Sequence, residues 1–372
     1  MIRRRALADI TNISIPKQPL KRVSRSKKVA KTEKIPISNE SKNPFYFSRL
    51  GNPKDPQDVY DYDYEIFRNL LIEETKYLPN KNLFQNISIS PENRTILIDW
   101  IQLIHAKLEM RHETIFLVTS LIDRVLSVVN VPLEDFQLMG SAAIYACVKI
   151  EEVSILPGEN LVTFAGSSFS HDELRKMERL VLNSVDFKVN VPTAMVFLDR
   201  YIAFFDYIDK IKSQNIKKLK TENAKTGNSK ADSLLPSSLN RFFDNKQDDD
   251  YEDDGEREQK KRRKRKIFYF AHYLNELALL FSSMIGLKPS LVAAAVIYIT
   301  RLIFLGEEEE KAWPQEISEY TGMTDEEVQA TARVLYSDIY ESEFVENAFV
   351  RKKYGGVETE CISSTTIPDG LL

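Results

Sequence analysis

The stretch Ser90-Pro91-Glu92-Asn93-Arg94-Thr95-Ile96-Leu97-Ile98-Asp99-Trp100-Ile101-Gln102-Leu103-Ile104-His105 decides the fold. Ser90 is a good helix N-cap, and Pro91 suits the first helical position, where its missing N–H costs nothing. Behind them Ile96, Leu97, Trp100, Ile101, Ile104 and Leu108 recur at helical spacing, which predicts a helix over about 91–109 with one broad buried face. Arg94 and Asp99 fall among these apolar residues, and a charge in such a place needs a partner. Alone, the stretch fits an ordinary core helix with a salt bridge. Its neighbours give it more meaning.

Downstream, the periodicity predicts helices over about 113–129, with Asp123-Arg124 in its middle, and about 133–150, which is rich in small residues. A short helix over 158–166 follows the Pro157-Gly158 turn, and a fifth runs over about 172–185. After Pro192 the pattern restarts, with helices over about 194–205, 266–284, 289–304, 314–320 and 324–340. Gly140-Ser141-Ala142-Ala143-Ile144-Tyr145 and Val292-Ala293-Ala294-Ala295-Val296-Ile297-Tyr298 are alike, and their helices end in the cations Lys149 and Arg301. The prediction is an all-α chain with two consecutive five-helix units. Upstream, Tyr60, Tyr64, Phe67, Leu70 and Leu71 predict one further helix over about 59–78, stopped by Pro79.

At 372 residues and 43% hydrophobic content, the chain can bury two domain-sized cores and still carry tails. A net charge of −4 gives the whole molecule no pull toward nucleic acid or membrane. Cys147 and Cys361 are too far apart for a disulfide framework and fit free thiols in a reducing compartment. No apolar run reaches membrane-spanning length, and no apolar core follows the basic N-terminus, so neither a transmembrane helix nor a signal peptide is expected. Twelve glycines argue against Gly-rich phosphate loops. His105, His112, His171 and His272 show neither metal-ligand spacing nor a nucleophile motif, so no catalytic residue, metal or cofactor is expected.

The flanks and the interruption are polar. Residues 1–56 read as a disordered basic tail, and 357–372 as a C-terminal tail. Within the first, Arg4, Leu7, Ile10 and Asn12 have the spacing Arg-x-x-Leu-x-x-Ile-x-Asn. The cluster Lys21, Arg22, Arg25, Lys27 and Lys28 is either an import signal or a solvated tail. The first unit with its preceding helix spans 57–190 and the second 191–356, the latter broken by a disordered insertion at about 209–264. That insertion holds an acidic run, 248–254, and then Lys260, Lys261, Arg262, Arg263, Lys264, Arg265 and Lys266. This block is the better import candidate; its competing role is neutralisation by the adjacent acidic run.

Together, Arg94-Thr95-Ile96-Leu97-Ile98-Asp99-Trp100, Glu113-Thr114-Ile115-Phe116-Leu117, Leu121-Ile122-Asp123-Arg124-Val125-Leu126-Ser127, Gln137-Leu138-Met139-Gly140 and Ala146-Cys147-Val148-Lys149-Ile150-Glu151-Glu152 resemble the cyclin box of B-type mitotic cyclins, of fungal-like type. The resemblance covers about 57–210 and 265–356, and Arg4, Leu7, Ile10 and Asn12 resemble the destruction box of the same group. It implies a regulatory subunit, not an enzyme, that activates a cyclin-dependent Ser/Thr kinase in G2/M or S phase. It implies a buried ion pair between Arg94 and Asp123, and kinase contacts at Lys149 and Glu178 with Ile150, Glu152, Leu182, Phe187 and Val189 around them. Ile150 stands where Phe is more usual. A substrate-docking patch would use Ile96, Leu97, Trp100 and Gln137, with Asn93 in place of the usual Met and Leu103 in place of the usual Glu. Those departures imply weaker docking or a different motif; the patch is otherwise plain helix-packing surface. Implied partners are the kinase in a heterodimer, its substrates and the ubiquitin ligase of mitosis, with no direct nucleic acid and no membrane. The expected location is the nucleus, with cytoplasm. The competing function is a transcription-type cyclin or general transcription factor, since the same two-box fold serves those roles.

Overall fold

The computed structural model describes residues 50, 62–154, 156–226, 254–305, 312–365, 367 and 368. The segment Arg4–Asn12, the basic cluster 21–28 and the acidic run as far as residue 253 lie outside the described residues. Every regular element described is helical. After a leading helix α1 (Asp63–Glu73), the first unit contains α2 (Pro91–Lys107), α3 (His112–Leu126), α4 (Phe136–Glu151), α5 (Gly158–Phe164) and α6 (His171–Ser184). The second contains α7 (Ala194–Thr226), α8 (Asp254–Ala278), α9 (Pro289–Leu305), α10 (Gln315–Thr321) and α11 (Asp325–Glu341), then α12 (Glu343–Asn347) and α13 (Phe349–Lys353).

The start of α2 is fixed as its sequence requires. Ser90 Oγ accepts the Asn93 N–H and Asn93 Oδ1 accepts the Ser90 N–H, a reciprocal capping box, with Pro91 at the first helical position. The same device starts α6 at Ser170 with Glu173 and α11 at Thr324 with Glu327. The two small-residue helices are the axes. In the first unit α4 packs against α3 and α6; in the second α9 packs against α7, α8 and α11. Gly140 shows how tight this is, because a Cβ there would lie 2.9 Å from Leu97 Cδ1. The absence of a side chain lets α2 close on α4.

The second unit departs from the expected disordered insertion at 209–264. Helix α7 continues to Thr226 and α8 begins at Asp254, so the interruption is helical at both ends. Charged and polar residues dominate these extensions, with only Ile211, Ile216 and Leu219 as large apolar residues to signal a helix, yet Lys, Arg, Glu and Gln have good intrinsic helix propensity. Tertiary contacts add to it: Arg262 and Arg265 pair with Glu360, Lys264 pairs with Asp206, and Arg263 donates to the Phe304 carbonyl. The basic block is thus an exposed helix face, from Lys261 to Arg265, with several of its charges engaged.

Helix α1 packs on the second unit. Phe67 is fully buried and stacks on Tyr320, with ring centroids 4.7 Å apart. Arg200 forks onto both oxygens of Asp63 and donates through Nε to the Tyr320 hydroxyl at 2.7 Å. Just after α1, the buried Glu74 accepts both the N–H (2.8 Å) and the hydroxyl (2.7 Å) of Ser290 at the start of α9. An exposed surface helix would not need these groups. Arg200→Met strands the Asp63 carboxylate, so it should loosen α1 from the second unit. Hydrogen exchange should then rise several hundredfold across residues 63–73, whereas α4 keeps its protection.

Candidate functional site

Arg94 and Asp123 form the predicted pair. Arg94 Nε lies 2.6 Å from Asp123 Oδ1 and Nη2 lies 2.8 Å from Oδ2, with both side chains almost wholly buried. Arg94 Nη1 also donates to the carbonyls of Leu279 (2.9 Å) and Leu280 (3.5 Å), and the Thr95 hydroxyl reaches Leu280 O at 2.9 Å. Those carbonyls follow α8, so the pair joins α2 and α3 to the second unit. The other charge among the apolar residues of the opening stretch, Asp99, accepts the Phe349 N–H at 2.6 Å, where α13 begins. Burial pushes the Asp99 carboxyl up, against the lowering effects of that hydrogen bond and of Lys352.

Lys149 and Glu178 meet across α4 and α6. Lys149 Nζ lies 2.6 Å from Glu178 Oε1 and 3.6 Å from the centroid of the Tyr145 ring. The lysine end is half open to solvent, whereas the carboxylate is mostly covered. Ile150 is 48% exposed and Phe187 64% exposed. Asp186 and Phe187 both have left-handed backbone, φ +50° and +59°. Non-glycine residues adopt that region at a cost of about 1–2 kcal/mol each, so the turn after α6 spends stability to set Phe187 outward.

Three expected neighbours play other parts. Val189 is buried and Leu182 half-buried, so the former offers no outward contact. Glu152 Oε1 accepts the Arg111 N–H at 2.8 Å and the Thr114 hydroxyl at 2.5 Å, which ties the end of α4 to the start of α3. A carboxylate with both donors supplied from its own chain is a structural brace. Sequence reasoning missed Val153, which is 97% exposed three residues beyond Ile150. An apolar residue directly after the end of an amphipathic helix was the available signal.

The second patch divides in the same way. Ile96 is exposed, Trp100 and Gln137 are half-buried, and Leu97 is buried against Gly140. Leu133, exposed one helical turn before Gln137, extends the apolar surface and was not anticipated. Asn93 is committed to the capping box, so the amide faces its own helix end.

Three of the four histidines gather although their spacing gave no hint of it. His105 and His112 rings lie 6.4 Å apart, and His112 and His272 rings 5.8 Å apart. Each is engaged: His105 Nε2 with Arg111 O at 2.8 Å, His112 Nδ1 with Glu276 at 3.3 Å, His272 Nε2 with Asp199 at 3.3 Å. Glu276 is the hub, fully buried and contacted also by Lys353 Nζ at 2.6 Å and the Tyr354 hydroxyl at 2.9 Å. Burial pushes its carboxyl up, but hydrogen bonds and charge from His112 and Lys353 outweigh that and hold it at about 2. Among the described residues no group of three or more His, Cys, Asp or Glu could hold a metal ion, and no helix is long and apolar enough to cross a membrane.

This frame of two similar helical units, joined through a buried Arg–Asp pair, matches known proteins. The cyclin N-terminal domain matches residues 65–190, and the cyclin C-terminal domain matches residues 239–368. The chain belongs to the cyclin family. Its relatives include the G2/mitotic-specific cyclin-1 of Medicago sativa, 33% identical over 39% of this chain and 33% of that one. The G2/mitotic-specific cyclin-4 of Candida albicans is 34% identical over 43% of this chain and 35% of that one. Cyclin-B1-1 of Oryza sativa is 26% identical over 80% of this chain and 54% of that one. The matched region thus spans about a third to a half of the length of these relatives. They are of the G2/mitotic, B-type group, and plant and Candida relatives occur together, so they do not distinguish a fungal-like type. A viral cyclin from herpesvirus saimiri has the same fold, with a TM-score of 0.51 at 17% identity, covering 77% of this chain and 98% of that one.

In this cyclin, then, the two boxes run from α2 to α6 and from α7 to α11, and α1 is fastened to the second. The family-level reading of the sequence, cyclin fold included, agrees with these matches.

Proposed function

We propose that this cyclin binds and activates a cyclin-dependent Ser/Thr kinase through the face formed by Lys149, Glu178, Ile150 and Phe187, with Val153 added to it. The supporting observation is the Lys149–Glu178 pair, 2.6 Å apart and half open, beside side chains that expose apolar surface instead of burying it. Such a face combines a desolvatable apolar rim with a polar centre that can exchange partners. Its action needs no active site of its own. A kinase transfers phosphate only when the ion pair between its β-strand lysine and αC glutamate is in place. A cyclin that packs better against the active arrangement shifts the kinase toward it by differential affinity.

The finer assignments rest on the family resemblance. They are docking of substrates on Ile96, Trp100 and Gln137, destruction through Arg4, Leu7, Ile10 and Asn12 by the ubiquitin ligase of mitosis, and residence in the nucleus with cytoplasm. For import, the helical state of Lys261 to Lys266 means that a receptor reading an extended strand must first unwind the start of α8. A DNA-holding version of the fold would expose free cations on its folded helices, whereas here Arg262, Lys264 and Arg265 are paired to carboxylates. That pairing disfavours the transcription-factor alternative.

The test is a reconstituted histone-kinase assay with a purified mitotic cyclin-dependent kinase. Wild-type cyclin should stimulate the kinase, and Lys149→Ala/Glu178→Ala should lower stimulation at least 100-fold while its circular dichroism and melting stay close to wild type. Folded wild type that neither binds nor stimulates any of several such kinases would overturn the proposal.

A further inference from the structure

On α4, Tyr145 stands one helical turn before Lys149, so the two side chains share a face. Lys149 Nζ lies 3.6 Å from the centroid of the Tyr145 ring and 2.6 Å from Glu178 Oε1. An exposed ion pair by itself holds a lysine loosely, because the long stem keeps its rotamer freedom and water competes for the charge. Here the ammonium is gripped from two sides, by a ring on its own helix and by a carboxylate on α6. The ring is itself fixed. Tyr145 is half-buried against the core, and the His171 ring stands nearly perpendicular to it, with centroids 6.4 Å apart and planes at 76°. His171 in turn is seated against Gly158, where a Cβ would lie 2.5 Å from its Nε2, and its Nδ1 lies 3.3 Å from Glu159 Oε1.

We propose that Tyr145 is a positioning residue of the kinase-facing surface: its ring pre-sets the Lys149 ammonium beside Glu178 for an acceptor on the kinase. The inference rests on the proposed binding of a kinase at this face. An ammonium carries three N–H donors. Glu178 takes one and the ring covers another side, so a donor is left for a carbonyl or carboxylate of the partner. A lysine already held in place loses less freedom when that partner arrives, and the smaller loss appears as affinity. The attraction between cation and ring also grows as docking expels water, so the ring contributes most in the complex. Ile150, next to Lys149, carries no ring and cannot take over this part. A plain core aromatic, by contrast, would act on stability alone.

Variants of the intact chain test it. Affinity for a purified mitotic cyclin-dependent kinase should fall about three- to tenfold in Tyr145→Leu and return to the wild-type value in Tyr145→Phe, which keeps the ring. In a Lys149→Ala background the same Tyr145→Leu change should alter affinity less than about twofold, because a residue that acts through Lys149 has nothing left to position. A purely structural role would cost the same in both backgrounds. In the free protein, the Lys149 amine of Tyr145→Leu should react about two- to fivefold faster with limiting acetic anhydride, read by peptide mass spectrometry. Lys176, exposed on α6, should keep its rate and so certify the local fold. Wild type that binds no such kinase overturns the reading of the face, and the inference with it. Wild type that binds while Tyr145→Leu binds as tightly, or loses as much with Lys149 absent as present, overturns the inference and leaves the face standing. An unchanged Lys149 reactivity does the same.

Discussion

Arg94→Ala lowers the unfolding free energy by about 3–5 kcal/mol, the largest single-site loss expected in this chain. The substitution leaves the Asp123 carboxylate buried without a counter-ion and the carbonyls of Leu279 and Leu280 short of a donor. Urea denaturation measures it, since the midpoint falls in proportion to the lost stability when the slope is unchanged. The double variant Arg94→Met/Asp123→Leu separates two explanations. Removing both charges leaves no ion stranded, so it should cost less than either single change. A double variant as unstable as the sum of the singles would mean that packing at Arg94, not its charge, holds the boxes together.

Acid should unlock the Glu276 hub. Its folded carboxyl sits at about 2, below the ordinary value of 4.5, because His112 and Lys353 favour the ionised form. A carboxylate depressed in the folded state adds stability that is fully present above the unfolded value and is lost as pH falls toward the folded one. The contribution is on the order of 3 kcal/mol, present at pH 7 and fading from about pH 4.5 downward. The expected measurement is a urea series from pH 7 to pH 3 on wild type and Glu276→Gln. The gap between the two should be constant above pH 5 and narrow below it. A gap independent of pH would show that the buried contacts of the side chain matter and its charge does not.

How legible all this was depends on the range of the interaction concerned. The capping of α2 by Ser90 and Pro91 is local, and sequence spacing was enough to place it. The roles of Arg94, Asp123, Lys149 and Glu178 were legible through the resemblance to the cyclin box, while the apolar period set the phase of the helices that carry them. Glu152, placed around the kinase contacts by the resemblance, also accepts from the Arg111 N–H and the Thr114 hydroxyl, which lie about forty residues upstream and leave no local signal. Val189, placed as an outward contact by the resemblance, is buried, and the non-helical segment after α6 has no 3.6-residue phase to say which side faces the core. The helical ends of the second-box interruption escaped notice because residues 254–266 are polar throughout, and residues 209–226 carry only Ile211, Ile216 and Leu219 as large apolar residues, too sparse for a clear periodic signature.

The sequence by itself determined the all-α class, the two-box division and the capped start of α2, whereas the Arg94–Asp123 pair was implied by the family resemblance. Apolar period, caps and small-residue runs are properties of neighbouring residues, and those survive without coordinates. Tertiary structure alone decided that Arg94 also grips the second box, that α1 is clamped by Arg200 and Ser290, and that His112, Lys353 and Tyr354 converge on Glu276. Each of these joins groups separated by tens to hundreds of positions. A buried charge announces that it needs a partner, but which distant group supplies it is settled only when the helices pack.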